Sequence, residues 1–155
     1  MPIHKVKGEE IIQCEVKINA RPETIFPFFI DPVKMLKWKG IKANLDPQPG
    51  GTYKVEVTPK HVALGKYVEV TPNSRVVFTW GWEGDGHPVP PGSTTVEITL
   101  HPQGSATLVR LKHTGLVKAT SGQHDEGWVH FLERLSIAAE GRDPGPDPWV
   151  SRDTM

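Results

Sequence analysis

Thr94-Thr95-Val96-Glu97-Ile98-Thr99-Leu100-His101, the turn Gln103-Gly104-Ser105, and Ala106-Thr107-Leu108-Val109-Arg110-Leu111-Lys112-His113-Thr114 decide the fold, together with the run from Gln123 to Glu140 that follows. In the first stretch Val96, Ile98 and Leu100 alternate with Thr95, Glu97 and Thr99. In the second, Thr107, Val109, Leu111 and His113 share one parity, so both read as half-buried strands. The period then changes. Trp128, Phe131, Leu132, Leu135, Ala138 and Ala139 recur at helical spacing over residues 123–140. Asp125 and Glu126 fall in the first turn, where the helix dipole favours negative charge, and Gly141 stands where a helix would stop. A hairpin running into one long amphipathic helix predicts a helix laid across a sheet.

The upstream sequence supplies the rest of that sheet. Ile12, Cys14, Val16 and Ile18 alternate with polar residues over 10–18, a half-buried strand. Two short helices follow: Pro22 suits a first turn, Pro27 must kink or end the first helix, and Asp31-Pro32 starts a second through Trp38. Strands are then expected at 52–57, 61–71 and 75–82, punctuated by Gly50-Gly51, Thr58-Pro59-Lys60 and Pro72-Asn73-Ser74. Residues 142–155 are too rich in Pro and Gly for regular structure, although Trp149 can dock on the surface. The prediction is an α+β fold in one domain spanning 1–155, with its core at about 10–141. Its curved antiparallel sheet of about six to seven strands wraps a long C-terminal helix, an arrangement that leaves room for a ligand between sheet and helix.

Composition narrows the function. The 155 residues carry 18 Lys plus Arg and 18 Asp plus Glu, a formal net charge of +0, so the broad attraction needed for nucleic acid or an anionic membrane is missing. One cysteine, Cys14, excludes an intrachain disulfide and a Cys-based zinc cluster. The first ten residues are too polar for a signal-peptide core, and no run reaches the roughly 18 apolar residues of a membrane span. A cytoplasmic protein is expected. His124 and His130 are not at the i, i+4 spacing of a zinc pair, and neither a phosphate-binding Gly loop nor a Gly-x-Ser-x-Gly elbow occurs, so no metal or cofactor is called for.

Five tryptophans in a chain this size point to a pocket. Phe78, Trp80 and Trp82 share a strand face, Trp38 lies on the second short helix, and Trp128 and Phe131 on the long one; they either fill the interior or line a cavity. Gly127 leaves room on the long helix where a core side chain would otherwise pack. His113 should point into the same interior, either as a core histidine satisfied by its neighbours or as a hydrogen-bonding partner for a ligand. Parity sends Tyr67 and Glu69 outward unless a bulge at Gly65 reverses the register, and the same uncertainty covers His61 and Tyr53.

Several motifs in order carry a family resemblance: Ala20-Arg21-Pro22-Glu23-Thr24-Ile25-Phe26, Asp31-Pro32 with Trp38, Pro49-Gly50-Gly51-Thr52-Tyr53, Gly65-Lys66-Tyr67-Val68-Glu69-Val70, Phe78-Thr79-Trp80, Thr94-Thr95-Val96-Glu97-Ile98, His113-Thr114-Gly115-Leu116 and Gly127-Trp128. Over residues 10–141 the chain resembles the SRPBCC (START/Bet v1-like) superfamily, most of all the proteins related to the C-terminal domain of the Hsp90 ATPase activator. The resemblance implies a helix-grip fold. The superfamily holds lipid carriers, flavonoid and hormone binders, polyketide cyclases and a co-chaperone domain, so three functions stay open. The first is binding of a small hydrophobic or aromatic molecule by Trp38, Tyr67, Glu69, Phe78, Trp80, Trp82, His113, Gly127, Trp128 and Phe131. The second is docking to an Hsp90-type chaperone, with a place in stress response. The third is a cyclase or aromatase, with His113 as base and Glu69 or a tyrosine as acid. A monomer and a homodimer fit equally well.

Overall fold

A computed structural model describes residues 3–4, 10–84, 89–116 and 118–153, with side chains described for 11–84, 89–116 and 127–150. Among these residues the strands are β1 (Ile3–His4), β2 (Glu10–Ile18), β3 (Lys42–Leu45), β4 (Thr52–Thr58), β5 (His61–Thr71), β6 (Arg75–Trp80), β7 (Thr94–Gln103) and β8 (Ala106–Leu116). They form one curved antiparallel sheet in the order β1-β2-β8-β7-β6-β5-β4-β3. Between β2 and β3 lie α1 (Pro22–Ile25), a 3-10 turn (Phe26–Phe29) and α2 (Pro32–Met35); after β8 come α3 (Lys118–Ala139) and α4 (Pro148–Asp153). The α+β helix-grip arrangement expected from the sequence is present.

Local chemistry explains the breaks. Pro22 opens α1, and Pro27, which has no N–H to give, falls where the chain tightens from α into the 3-10 turn. The Asp31 carboxylate accepts the Val33 N–H at 2.9 Å and caps α2. The central strands carry the core: Val96, Ile98, Val109 and Leu111 face the long helix side, where Leu132 and Leu135 are fully buried. Cys14 is buried on the same face of β2.

Three segments depart from expectation. β3 is only four residues long, with Ala43 and Leu45 half-buried and Lys42 and Asn44 exposed, too short an alternation to be read as a strand without its pairing to β4, from Lys42 opposite Glu56 to Leu45 opposite Tyr53. α3 begins at Lys118, before the expected Gln123, through a polar first turn that shows no apolar stripe. The tail is not wholly irregular, because Asp147 accepts the Trp149 N–H at 2.9 Å and starts α4 at Pro148.

The register of β5 settles the facing of its residues. Ala63 and Tyr67 point into the core and Val68 is exposed, and the pairing with β6 shifts between Tyr67 and Glu69. The irregularity therefore lies at Val68 and not at Gly65. Gly65 has another role: a Cβ there would stand 1.8 Å from the Thr79 carbonyl oxygen, so β6 approaches too closely for a side chain. No helix among the described residues is long and apolar enough to cross a membrane.

Candidate functional site

The inward aromatic residues fall into two groups. On β4, β5 and β6, Tyr53 stacks on Phe78 with ring centres 4.1 Å apart, and Tyr67 meets both edge-on at 5.7 and 6.2 Å. The Tyr67 hydroxyl donates to the Phe29 carbonyl at 2.9 Å, and the Trp38 indole N–H donates to the Phe28 carbonyl at 3.0 Å. Phe29 and Trp38 touch edge to face at 5.9 Å. The sheet, the 3-10 turn and α2 thus close on one another through rings and carbonyls. Desolvation pushes both phenols above their ordinary range, reinforced for Tyr53 by Tyr67 and for Tyr67 by Asp46.

The second group lies toward α3. Trp80 meets Trp82 at 4.6 Å and His113 at 5.1 Å, and His113 in turn faces Trp128 at 5.9 Å. Proton inventory fixes the direction of the hydrogen bonds. The Trp128 indole can only donate, so His113 Nδ1 accepts at 2.9 Å. Neutral His113 then carries its proton on Nε2 and gives it to Thr94 Oγ1 at 2.8 Å, while the Thr94 hydroxyl donates to the Trp80 carbonyl at 2.7 Å. Both ring nitrogens of this fully buried histidine are committed. His113 holds Trp128 in place and leaves no ring nitrogen for a ligand.

Lys39 is the residue that sequence reasoning missed. It follows α2 and is only 3 % exposed, with its ammonium 4.3 Å from the ring centre of Trp128, 5.7 Å from Phe131 and 5.9 Å from Trp80. Three rings offer their faces to one cation, a cation–π arrangement in a dry setting. Burial lowers its pKa from 10.5 to about 7. No ion pair joins Lys39 to an acid among the described residues. In the sequence it was one more lysine beside Lys34 and Lys37; a possible signal was its place between Trp38 and Gly40, after the apolar Met35.

Of the predicted site residues, Trp38, Tyr67, Phe78, Trp80, Trp82, His113, Trp128 and Phe131 come together across these two groups. Trp82 does so past the end of β6, through an isolated bridge to Ala63 and an edge contact with His61 at 5.6 Å. Glu69 does not join them. It lies on the opposite face of the sheet, where Arg75 lies 3.2 Å from both Glu69 and Glu97, so the acid of a His113–Glu69 pair is on the wrong side. Gly127 is half-buried at the margin of the buried stripe of α3, beside Trp128 and one turn before Phe131. Its chain neighbours and the nearby helix backbone aside, a Cβ built there would meet no atom within 4 Å, so a side chain would fit at this half-buried position.

The chain end is tied down next to this region. Trp149 stacks on His130 at 3.9 Å and 5°, and His130 bonds Asp147 at 2.9 Å. The Arg134 guanidinium reaches the carbonyls of Trp38 at 3.2 Å, Pro144 at 3.5 Å and Gly145 at 2.9 Å, joining α3 to both the end of α2 and the tail. An open groove of about 710 Å³ runs along this seam, bordered by Leu36, Ile41, Arg134, Arg142 and Val150. No group of three or more His, Cys, Asp or Glu gathers as a metal site among the described residues.

Comparison with known proteins adds to this geometry. Residues 19–140 match the family model described as Activator of Hsp90 ATPase homolog 1-like protein. The solution structure of an AHSA1-like protein from Rhizobium etli is 43% identical, with 94% of this chain and 91% of that one covered and a TM-score of 0.73. A crystal structure from Chromobacterium violaceum is 27% identical, covering 88% of this chain and 98% of the other at a TM-score of 0.75. An HSP90 activator from Plasmodium falciparum shares the fold at 18% identity, with 83% and 94% covered and a TM-score of 0.68. A comparison with curated proteins finds no match.

Proposed function

The chain belongs to the family of Activator of Hsp90 ATPase homolog 1-like proteins, and from that premise we propose that it is a cytoplasmic binding protein for a small hydrophobic or aromatic molecule. The molecule sits between the sheet and α3, against Trp80, Trp128 and Phe131. The observation that carries this reading is the gathering of three rings, Trp80 on β6 and Trp128 and Phe131 on α3, around one buried amine, Lys39, between the sheet and the helix. Tyr53, Tyr67, Phe78 and Trp38 form the packed floor, and His113 acts indirectly by fixing the Trp128 indole.

An amide NMR titration with fatty acids, sterols, flavonoids and polyketide-like phenols tests it. Saturable shifts centred on Trp80, Gly127 and Trp128 are expected for at least one class. Shifts confined to the outer face of the sheet, or none with any class, would overturn the reading.

A second reading, docking to an Hsp90-type chaperone, is favoured by one surface feature besides the family description. Val33, on α2, is 72% exposed, and Leu36 and Ile41, which follow α2 and border the groove along the tail, are 37% and 44% exposed. Stimulation of an Hsp90 ATPase by the purified chain, lost in Val33→Asp, supports it; no stimulation at high excess removes it.

A further inference from the structure

The sheet is open and its two ends are unequal: β1 is two residues long, whereas β3 offers four residues of strand with no further strand beside it among the described residues. We infer that β3 is an interface between two copies of this chain, which pair antiparallel about a two-fold axis at Asn44 and join their sheets into one.

Hydrogen-bond parity shows which groups are free. The Asp46 N–H donates to the Thr52 carbonyl at 2.9 Å, so with Lys42 opposite Glu56 and Leu45 opposite Tyr53 it is the even residues of this segment that bond β4. The far side of β4 agrees. There the Tyr67 N–H donates to the Gly51 carbonyl at 2.9 Å, which turns the odd residues of β4 toward β5 and leaves its even ones for β3. Ala43 and Leu45 therefore aim their N–H and C=O groups away from the sheet, and neither backbone makes a hydrogen bond there among the described residues. Four unpaired groups along one edge are a template for another strand.

Only one self-pairing uses all four. With the axis at Asn44, Ala43 of each copy exchanges both bonds with Leu45 of the other, an isologous contact. An axis at Ala43 would set Leu45 against Ile41, whose N–H already goes to the Glu56 carbonyl at 2.8 Å. An axis at Leu45 would set Ala43 against Pro47, which has no N–H. The register that the backbone selects then decides what the side chains meet. Lys42 of each copy stands opposite Asp46 of the other, twice over, and Asn44 stands opposite Asn44. Lys42, Asn44 and Asp46 are all exposed. The Asp46 carboxylate accepts the Gln48 amide at 3.1 Å, and neither Asp46 nor Lys42 makes an ion pair among the described residues. Opposite charges directly across a strand pair favour it and like charges oppose it. The two rejected registers put Lys42 against Asn44 or Gln48, so the charges match only where the backbone does.

Sedimentation equilibrium of the purified chain from about 10 μM to about 1 mM is the test, and a monomer–dimer equilibrium is expected in that range. Lys42→Asp and Asp46→Lys each set like charges against one another at both contacts, and should weaken association by roughly tenfold or more. Mixed one to one, the two variants face an acidic strand with a basic one and should form a heterodimer at least as tight as the parent dimer. That rescue is specific to the register centred on Asn44. Hydrogen exchange gives a second reading on the unaltered chain: the Ala43 and Leu45 amides should exchange fast in dilute solution and slowly in concentrated solution, while the Asn44 amide, bonded to β4, should be slow in both. A chain that stays monomeric at about 1 mM, a dimer indifferent to either charge reversal, a mixture that associates no better than its separate components, or unchanged exchange at Ala43 and Leu45 overturns the inference.

Discussion

The Tyr53 cluster and the Trp80 cluster are made from the same kinds of ring, lie side by side on one sheet and are equally dry, yet they differ in what is buried with the rings. In the first, the Tyr67 hydroxyl and the Trp38 indole each end on a backbone carbonyl of the 3-10 turn. Those bonds lock the sheet to the turn and leave nothing to titrate near neutrality. In the second, the polar chain runs from Trp128 through His113 and Thr94 to Trp80, and beside it sits a buried lysine that makes no ion pair among the described residues. Rings closed by carbonyls make a floor. Rings closed around an amine make a place where the protonation state can still change.

The sharpest way to break that contrast is Phe78→Ala in the floor. It removes the ring stacked on Tyr53 and should cost about 3–5 kcal/mol in urea unfolding; a loss under ~1 kcal/mol would mean the floor is not a closed core. Thr94→Val comes next. It keeps the shape but strips the hydroxyl between His113 and the Trp80 carbonyl, for an expected loss of about 2–3 kcal/mol. An unchanged midpoint would show that the polar chain adds nothing.

Lys39→Met should move stability the other way. The folded amine titrates at about 7 and the unfolded one near 10.5, so between those values the unfolded chain binds more protons. The penalty on the native state is complete at and below pH 7 and is relieved as pH rises toward 10.5. The substitution should therefore gain about 2 kcal/mol at pH 6, after allowing for lost cation–π contacts, and the gain should shrink at alkaline pH. A gain that does not vary with pH would show that the amine is not held as described. The smallest effect belongs to Gly127→Leu: about 1 kcal/mol of added stability from helix propensity alone, with ligand shifts lost because the side chain fills the open space. Stability and binding moving in opposite directions would set this margin apart from the floor.

The legible parts of the fold were those in which side chains alone decide. Alternation in 94–114 and the stripe in 123–140 reported a strand pair and a helix because one face of each is buried. β3 was illegible, since its burial is shallow and its pairing depends on a neighbouring strand. At the site, the rings were readable from parity, but the facing of Tyr67 and Glu69 hinged on one irregularity at Val68 that no residue type announces. Lys39 was hidden for a different reason. A lysine is normally a surface residue, and only the folded arrangement of α2 against α3 and β6 shows that this one is enclosed.

The sheet order places β2 between β1 and β8, so Glu15 bonds Arg110, a residue 95 positions later. During synthesis the first long strand must therefore emerge and wait, with one edge unmatched, until almost the whole chain has left the ribosome. The hairpins from β4 to β7 can form on the way out, because each joins near neighbours. Closing β2 against β8 is then a late event, and a chain halted before residue 106 has an unpaired apolar ribbon instead of a sheet that grips a helix.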